Sequence, residues 1–293
     1  MAGFLPPALL KQVRTLALRG RRATDALLGG EIRSVFRGTG MEFSDIRPYT
    51  EGDDVRHIDW NLLARTGLPY VKLYAETREL TLLLVFDRSR STAVGDPEAK
   101  SSRATEVAAL LALVAAQQQD RVGLLAFADT IGPVVPPGRG QRHAFAIVRT
   151  LFGLETRGGD TDLAGALRTA GALLKRRSLV VIISDFLAVG WESTLRGLAA
   201  RHEVTAIALE DARETALPDG GWVTVAGSER HTEVLFDSSD PVARRRAEHA
   251  VASQRSARSA AFAAASVREV VIRTDGEYLA VLRNAFGRSA QRR

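Results

Sequence analysis

Apolar and polar positions along the chain fall into three regimes. Residues 6–28 carry apolar side chains at helical spacing, with Leu9, Leu10, Val13, Leu16 and Ala17 on one side, and Gly29-Gly30 stops the pattern. Residues 31–80 lose the periodicity. Charge, turn residues and the aromatics Phe36, Phe43, Tyr49, Trp60, Tyr70 and Tyr74 crowd this stretch. Short strands and loops are predicted there, with 71–74 a strand. Beyond residue 80 the text becomes regular. A nearly continuous apolar run at 80–86 has the pattern of a strand buried on both faces.

The regular part alternates. Helices are predicted at 104–119, 142–152, 162–175, 192–200, 241–265 and 277–286. Strands are predicted at 121–128, 131–135, 179–183, 204–209 and 267–272, the short one at 131–135 turning back through Asp129-Thr130. A small hairpin, 222–225 with 233–236, interrupts the series before the long helix. Strands alternating with helices mean an α/β fold: a mostly parallel sheet with helices on both faces. The expected division is an N-terminal helix with an irregular/β segment at 1–78, then an α/β domain at 79–293 with a hairpin insertion near 211–237.

Composition narrows the chemistry. The 293 residues are 45% hydrophobic and 25% charged, an ordinary globular balance, and cysteine is absent. Disulfides, thiolate zinc sites and cysteine nucleophiles are thereby excluded. The longest apolar run, 107–116, is far short of the ~20 residues of a membrane-spanning helix. The first residues, Met1-Ala-Gly-Phe-Leu-Pro-Pro, lack the basic-then-apolar layout of a secretory leader. A soluble cytoplasmic protein without stable membrane insertion is expected. The net charge of +6 comes from arginines spread along the whole chain, with lysine only at 11, 72, 100 and 175. That distribution predicts a solvated basic surface and no nucleic-acid partner. His57, His143, His202, His231 and His249 show no zinc-ligand spacing.

Sites in such sheets lie at the C-terminal ends of strands, near the point where strand order reverses. The first buried strand runs into Asp87-Arg88-Ser89-Arg90-Ser91. Positions two apart project the same way in an extended chain, so a carboxylate and two hydroxyls can converge. The fourth strand ends in Ser184-Asp185. Between them, Gly158-Gly159-Asp160-Thr161-Asp162 precedes a helix, which Thr161 or Asp162 could cap with the hydroxyl aimed at the same crevice. Hard oxygen donors of this kind suit Mg²⁺ or Mn²⁺. Local capping of loop amides is the plainer role for the same residues.

Asp87-x-Ser89-x-Ser91 with Thr161 and Asp185 resembles the metal-ion-dependent adhesion site of von Willebrand factor type A domains. The resemblance covers about residues 79–290 and implies a sheet with one antiparallel edge strand between helices. It implies Asp87, Ser89, Ser91, Thr161 and Asp185 as the ligands of one Mg²⁺ or Mn²⁺. The chain departs from the type A pattern at Arg88 and Arg90, which would repel a metal or, turned outward, grip an acidic partner. It departs again at Phe186, where many type A domains have Gly.

Upstream, Gly38-Thr-Gly-Met-Glu-Phe-Ser-Asp-Ile-Arg-Pro-Tyr-Thr-Glu-Gly-Asp-Asp-Val-Arg-His-Ile-Asp-Trp-Asn61, continuing to Lys72, resembles the signature of Domain of Unknown Function family fifty-eight. Members commonly accompany MoxR-type AAA+ ATPases thought to act as maturation chaperones. The resemblance therefore implies a non-enzymatic adaptor whose partner is such an ATPase or its client. Arg47, Tyr49, Asp53, Arg56, Asp59 and Trp60 would then serve as a partner-binding face beside Arg88 and Arg90. The charges in this stretch, Arg65 included, alternate in sign and could instead pair internally, with Trp60 as a packing anchor. The alternatives to a metal-dependent module are a metal-free scaffold binding through 38–65 and, from a different class, phosphoryl transfer at Asp87. No Gly-x-x-x-x-Gly-Lys-Ser/Thr loop or Gly-x-Ser-x-Gly elbow supports other enzyme chemistries.

Overall fold

The structure, a computed structural model, describes residues 38–78, 80–89, 97–155, 160–211, 222–226, 233–237 and 239–287, with backbone alone for 38–45, 72–78, 97–99, 222–226, 233–237 and 287. The predicted helix at 6–28 lies outside the described residues.

Asp87 ends the central strand of a six-stranded sheet. In chain order the first elements are β1 (Gly38–Pro48), a 3-10 turn (Val55–His57), α1 (Trp60–Thr66) and β2 (Tyr70–Arg78). The main sheet and its helices follow: β3 (Thr81–Asp87), α2 (Pro97–Gln117), β4 (Arg121–Phe127), β5 (Ile131–Gly138), α3 (Gly140–Phe152), α4 (Leu163–Leu173), β6 (Leu179–Ser184), α5 (Glu192–Ala199) and β7 (Glu203–Glu210). The antiparallel pair β8 (Trp222–Ala226) and β9 (Glu233–Asp237) comes next, then α6 (Pro241–Ala264), β10 (Arg268–Arg273) and α7 (Tyr278–Gly287).

The main sheet has the order β10-β7-β6-β3-β4-β5. All its neighbours are parallel except β5, which runs antiparallel to β4 on the edge. The fold is the von Willebrand factor type A-like α/β arrangement that the resemblance implies. From β3 the chain builds outward through β4 and β5, then returns to β6 on the other side. The order therefore reverses between β3 and β6.

Burial follows the strand period of two. Leu82, Leu84 and Phe86 pack on one face with Val107, Ala108 and Leu111 of α2, Ile147 of α3 and Phe286 of α7. Leu83 and Val85 pack on the other with Leu163 and Leu167 of α4, Leu195 of α5 and Phe262 of α6. Both faces are covered, and this is why the strand reads as a continuous apolar run. The edge strand holds Pro133, Pro136 and Pro137, which lack the N–H a central strand requires. Gly123 of β4 makes room for it, since a Cβ there would lie 3.0 Å from Pro137.

Two expectations need correction in extent. The helix expected from 104 begins at Pro97. The stretch expected to hold only strands and loops contains α1, a seven-residue helix. Asp59 caps it by accepting from the N–H groups of Asn61 and Leu62, and Gly67 ends it at φ 73°. The same segment pairs β1 with β2 in an antiparallel ribbon of its own. Asp59 N–H donates to Tyr70 C=O at 2.8 Å and Tyr49 N–H to Pro69 C=O at 3.0 Å, fastening the intervening turn to that ribbon.

Candidate functional site

β3 and β6 are parallel neighbours with Phe86 opposite Ile183. Their ends therefore release Asp87 and Asp185 at the same level, at the sheet's reversal point. A cleft opens there. Asp87, Ser89, Ser184 and Asp185 line it from the strand ends, and Lys100, Ser101 and Ala104 from the first turns of α2. Leu209 of β7 completes its wall.

The strand-end groups hold one another. Ser89 N–H donates to one Asp87 oxygen at 2.8 Å, and Ser184 Oγ donates to the other at 2.6 Å. Ser184 Oγ in turn accepts from Phe186 N–H at 3.0 Å. Asp185 Oδ1 accepts from Leu187 N–H at 3.2 Å, while Oδ2 lies 3.8 Å from Lys100 Nζ. Burial pushes the Asp87 carboxyl up to about 7, with the neighbouring Asp185 charge adding to the rise and the serine hydrogen bonds opposing it. Two carboxylates facing one small cleft repel, and a cation between them relieves the repulsion.

The sequence-predicted residues divide by place. Asp87, Ser89 and Asp185 share the cleft. Thr161 is half-buried just ahead of α4 and is not among the lining residues. Its neighbour Asp162 donates its N–H to Ala128 C=O at 2.8 Å and caps α4 by accepting from Gly165 N–H at 2.7 Å. Ser91 and Arg90 lie outside the described residues. Arg88 turns toward the opposite side of β3: a Cβ on Gly132 of β5 would come within 3.1 Å of its Nε. Among the described residues no group of three or more His, Cys, Asp or Glu is placed to hold a metal ion, so any cation here relies on hydroxyls beside the two aspartates.

Sequence reasoning missed Ser184 and Lys100. Ser184 was legible as the polar residue closing an otherwise apolar strand. Lys100 stood out only as one of few lysines.

The ribbon segment forms a second candidate surface. Arg47 grips Asp53 through two hydrogen bonds, of 2.7 and 2.6 Å, and Thr50 donates to the same carboxylate through N–H and hydroxyl. The Arg47 guanidinium holds the Asp53 carboxyl well below the usual carboxylate range. Arg56 projects into solvent with its guanidinium 4.0 Å from Asp54, and Tyr49 is half-buried. Trp60 is 63% exposed, so it does not act as the packing anchor that internal pairing would require. Val55 and Leu68 of the same segment are also exposed.

Among the described residues no helix is long and apolar enough to cross a membrane. The profile of the family described as protein of unknown function DUF58 matches residues 45–257. The uncharacterized protein Rv1480 of Mycobacterium tuberculosis (strain ATCC 25618 / H37Rv) is 34% identical over 278 residues, covering 94% of this chain and 87% of its own. Among solved structures, the conserved hypothetical protein BatB from Bacteroides thetaiotaomicron aligns with a TM-score of 0.46 at 10% identity, over 73% of this chain and 100% of that one. The SpRpn10 VWA domain aligns with a TM-score of 0.39 at 16% identity, over 70% and 93%. With the family profile spanning most of its length and a relative matching it almost throughout, the chain belongs to the DUF58 family.

Proposed function

We propose that the protein is a non-enzymatic interaction module whose cleft at the sheet's reversal point binds Mg²⁺ or Mn²⁺ and, through it, an acidic group of a protein partner. The observation that supports this most is the convergence of Asp87 and Asp185 with the Ser89 segment at adjacent parallel strand ends. The donor set is all oxygen and suits a hard cation. Asp87 and Asp185 would hold it directly or through water, Ser89 would contribute its hydroxyl, and Ser91 and Thr161 enter by family resemblance. Bound there, the cation would supply residual positive charge for an incoming carboxylate. The family resemblance also supports a MoxR-type AAA+ ATPase or its client as the partner, in protein maturation or complex assembly.

Calorimetric titration of Mg²⁺ and Mn²⁺ into the wild type and Asp87→Ala tests the reading. The wild type should give a one-site isotherm and a raised unfolding temperature, because a ligand that binds only the native state stabilises it. Asp87→Ala should give neither. A wild type with no heat and no thermal shift would sink the metal-dependent form.

A second reading rests on the exposure of Trp60. In it the module is a metal-free scaffold, and partners dock on residues 38–65. A large aromatic held in solvent on a braced segment is the kind of group that anchors interfaces.

A further inference from the structure

The cleft carries a cation of its own. Lys100 stands in the first turns of α2 and is 7% exposed, an unusual burial for a lysine. Its Nζ faces Asp185 Oδ2 at 3.8 Å, and the other Asp185 oxygen is engaged by Leu187 N–H. Both Asp87 oxygens also accept hydrogen bonds, from Ser89 N–H and Ser184 Oγ. The Asp185 oxygen turned to Lys100 thus faces a side-chain cation rather than a neighbouring amide or hydroxyl. A lysine ammonium is a compact charge on a flexible four-carbon stem, able to approach a carboxylate or to withdraw from it. Two like charges cannot share one carboxylate oxygen in a small, poorly solvated cleft without strong repulsion. Arg88, beside Asp87 in sequence, turns toward β5 against Gly132.

We infer that Lys100 is a tethered competitor for the divalent-cation site, occupying Asp185 when the site holds no metal and swinging away when metal enters. The cleft then has two exclusive charge states. In one the protein's own ammonium offsets the aspartates and leaves little charge for a partner. In the other a divalent ion does so and has charge to spare. The inference rests on the metal reading of the same cleft and adds a setting of its affinity by a residue outside the adhesion-site pattern.

The test is Mn²⁺ titration, by calorimetry and by loss of the free-ion electron paramagnetic resonance signal, at one pH and salt concentration. The proteins are the wild type, Lys100→Met and Lys100→Arg. Lys100→Met removes the charge at similar length and should bind Mn²⁺ roughly tenfold or more tightly than the wild type, since an opposing charge a few ångströms away is removed. Lys100→Arg keeps the charge and should bind no more tightly than the wild type. Equal or weaker binding by Lys100→Met, with the wild type still binding, overturns the inference and leaves the metal reading standing. Absence of Mn²⁺ binding in all three overturns both. Should Lys100→Met fail to fold, limited acetylation of the wild type gives the answer instead. Saturating Mn²⁺ should raise labelling of Lys100 relative to Lys175, and unchanged labelling overturns the inference.

Discussion

Phe186 takes φ +57°, in the left-handed region that bulky side chains avoid at a cost of about 1 kcal/mol or more. It follows the second cleft aspartate, at the position where glycine would meet this backbone without strain. Its ring is 4% exposed and stands edge-on to Phe262 at 4.9 Å and Trp191 at 5.7 Å. Burying such a ring contributes about 1.5–3 kcal/mol, and aromatic pairs add roughly 0.5–1.5 more, so packing outweighs the strain. The strained backbone turns the Phe186 N–H onto Ser184 Oγ, which holds Asp87. Replacing the ring should therefore be costly, with an unusual order among the small residues. Phe186→Ala keeps the strain and loses the ring, so its free energy of unfolding in urea should fall by about 3–4 kcal/mol. Phe186→Gly should be no worse than Phe186→Ala, although glycine is ordinarily the poorer choice by up to ~1 kcal/mol. A glycine variant clearly less stable than the alanine variant would mean that strain is not stored there. The departure from glycine at this position was visible in the sequence, but its meaning was not. The backbone angle depends on the three-ring cluster, in which Phe186 and Trp191 share one loop and Phe262 comes from α6, far along the chain. Lys100 was hidden for a similar reason. The Ala/Leu periodicity that marks α2 starts after it, and where its side chain ends depends on how that helix docks on the sheet.

At the scale of elements, the alternation of strands and helices was legible nearly throughout the main sheet, because each element there buries a face long enough to impose its period. α1 was not, since seven residues with one exposed tryptophan carry no clear period. The entry into the sheet depends on a residue that neither motif nor period singles out. Asp120 Oδ1 accepts from Leu80 N–H at 3.1 Å, and Arg121 N–H donates to Leu80 C=O at 2.9 Å, so the residues that lead into β4 hold the residue that leads into β3. Asp120 Oδ2 is buried and has no partner among the described residues. Burial pushes this carboxyl up to about 7, and the Leu80 hydrogen bond only partly offsets it. The ordinary value in an unfolded chain is about 3.9. The native state therefore holds a proton that the unfolded chain has released, and stability falls as pH rises from about 4 to about 7. Asp120→Asn keeps the acceptor and cannot ionise. Its unfolding free energy should match the wild type near pH 4 and exceed it at pH 8 by on the order of 1–2 kcal/mol, once solvent access to the carboxyl is allowed for. Urea unfolding at the two pH values reads the difference. A gap of the same size at both would place its origin in packing rather than in ionisation.

For the whole molecule, the open choice is which of two surfaces, built on two different sheets, meets the partner. The cleft belongs to the main sheet and the exposed Trp60 to the β1–β2 ribbon. The two make opposite demands on divalent metal, and one binding experiment separates them. With the proposed partner, a MoxR-type ATPase, immobilised, the wild type, Asp87→Ala and Trp60→Ala are passed over it with Mg²⁺ or with EDTA. Trp60 is 63% exposed and Asp87 stands at a strand end, so thermal unfolding without metal should confirm that all three proteins are folded. Surface substitutions such as Trp60→Ala normally change stability by no more than about 0.5 kcal/mol, and a loss of binding there cannot then be assigned to unfolding. If the cleft carries the contact, EDTA and Asp87→Ala should each abolish binding, while Trp60→Ala weakens it less than about threefold. If the ribbon carries it, EDTA and Asp87→Ala should leave binding unchanged. Trp60→Ala should then cost about 2 kcal/mol, roughly thirtyfold in Kd, as truncation of a central aromatic anchor does. The first pattern is the expected one under the metal reading, because Asp87 and Asp185 meet at the sheet's reversal point. The net charge of +6 sets the control. Binding that fades equally for all three proteins as salt is raised, and ignores EDTA, would be nonspecific attraction to an acidic surface and would count against both contacts.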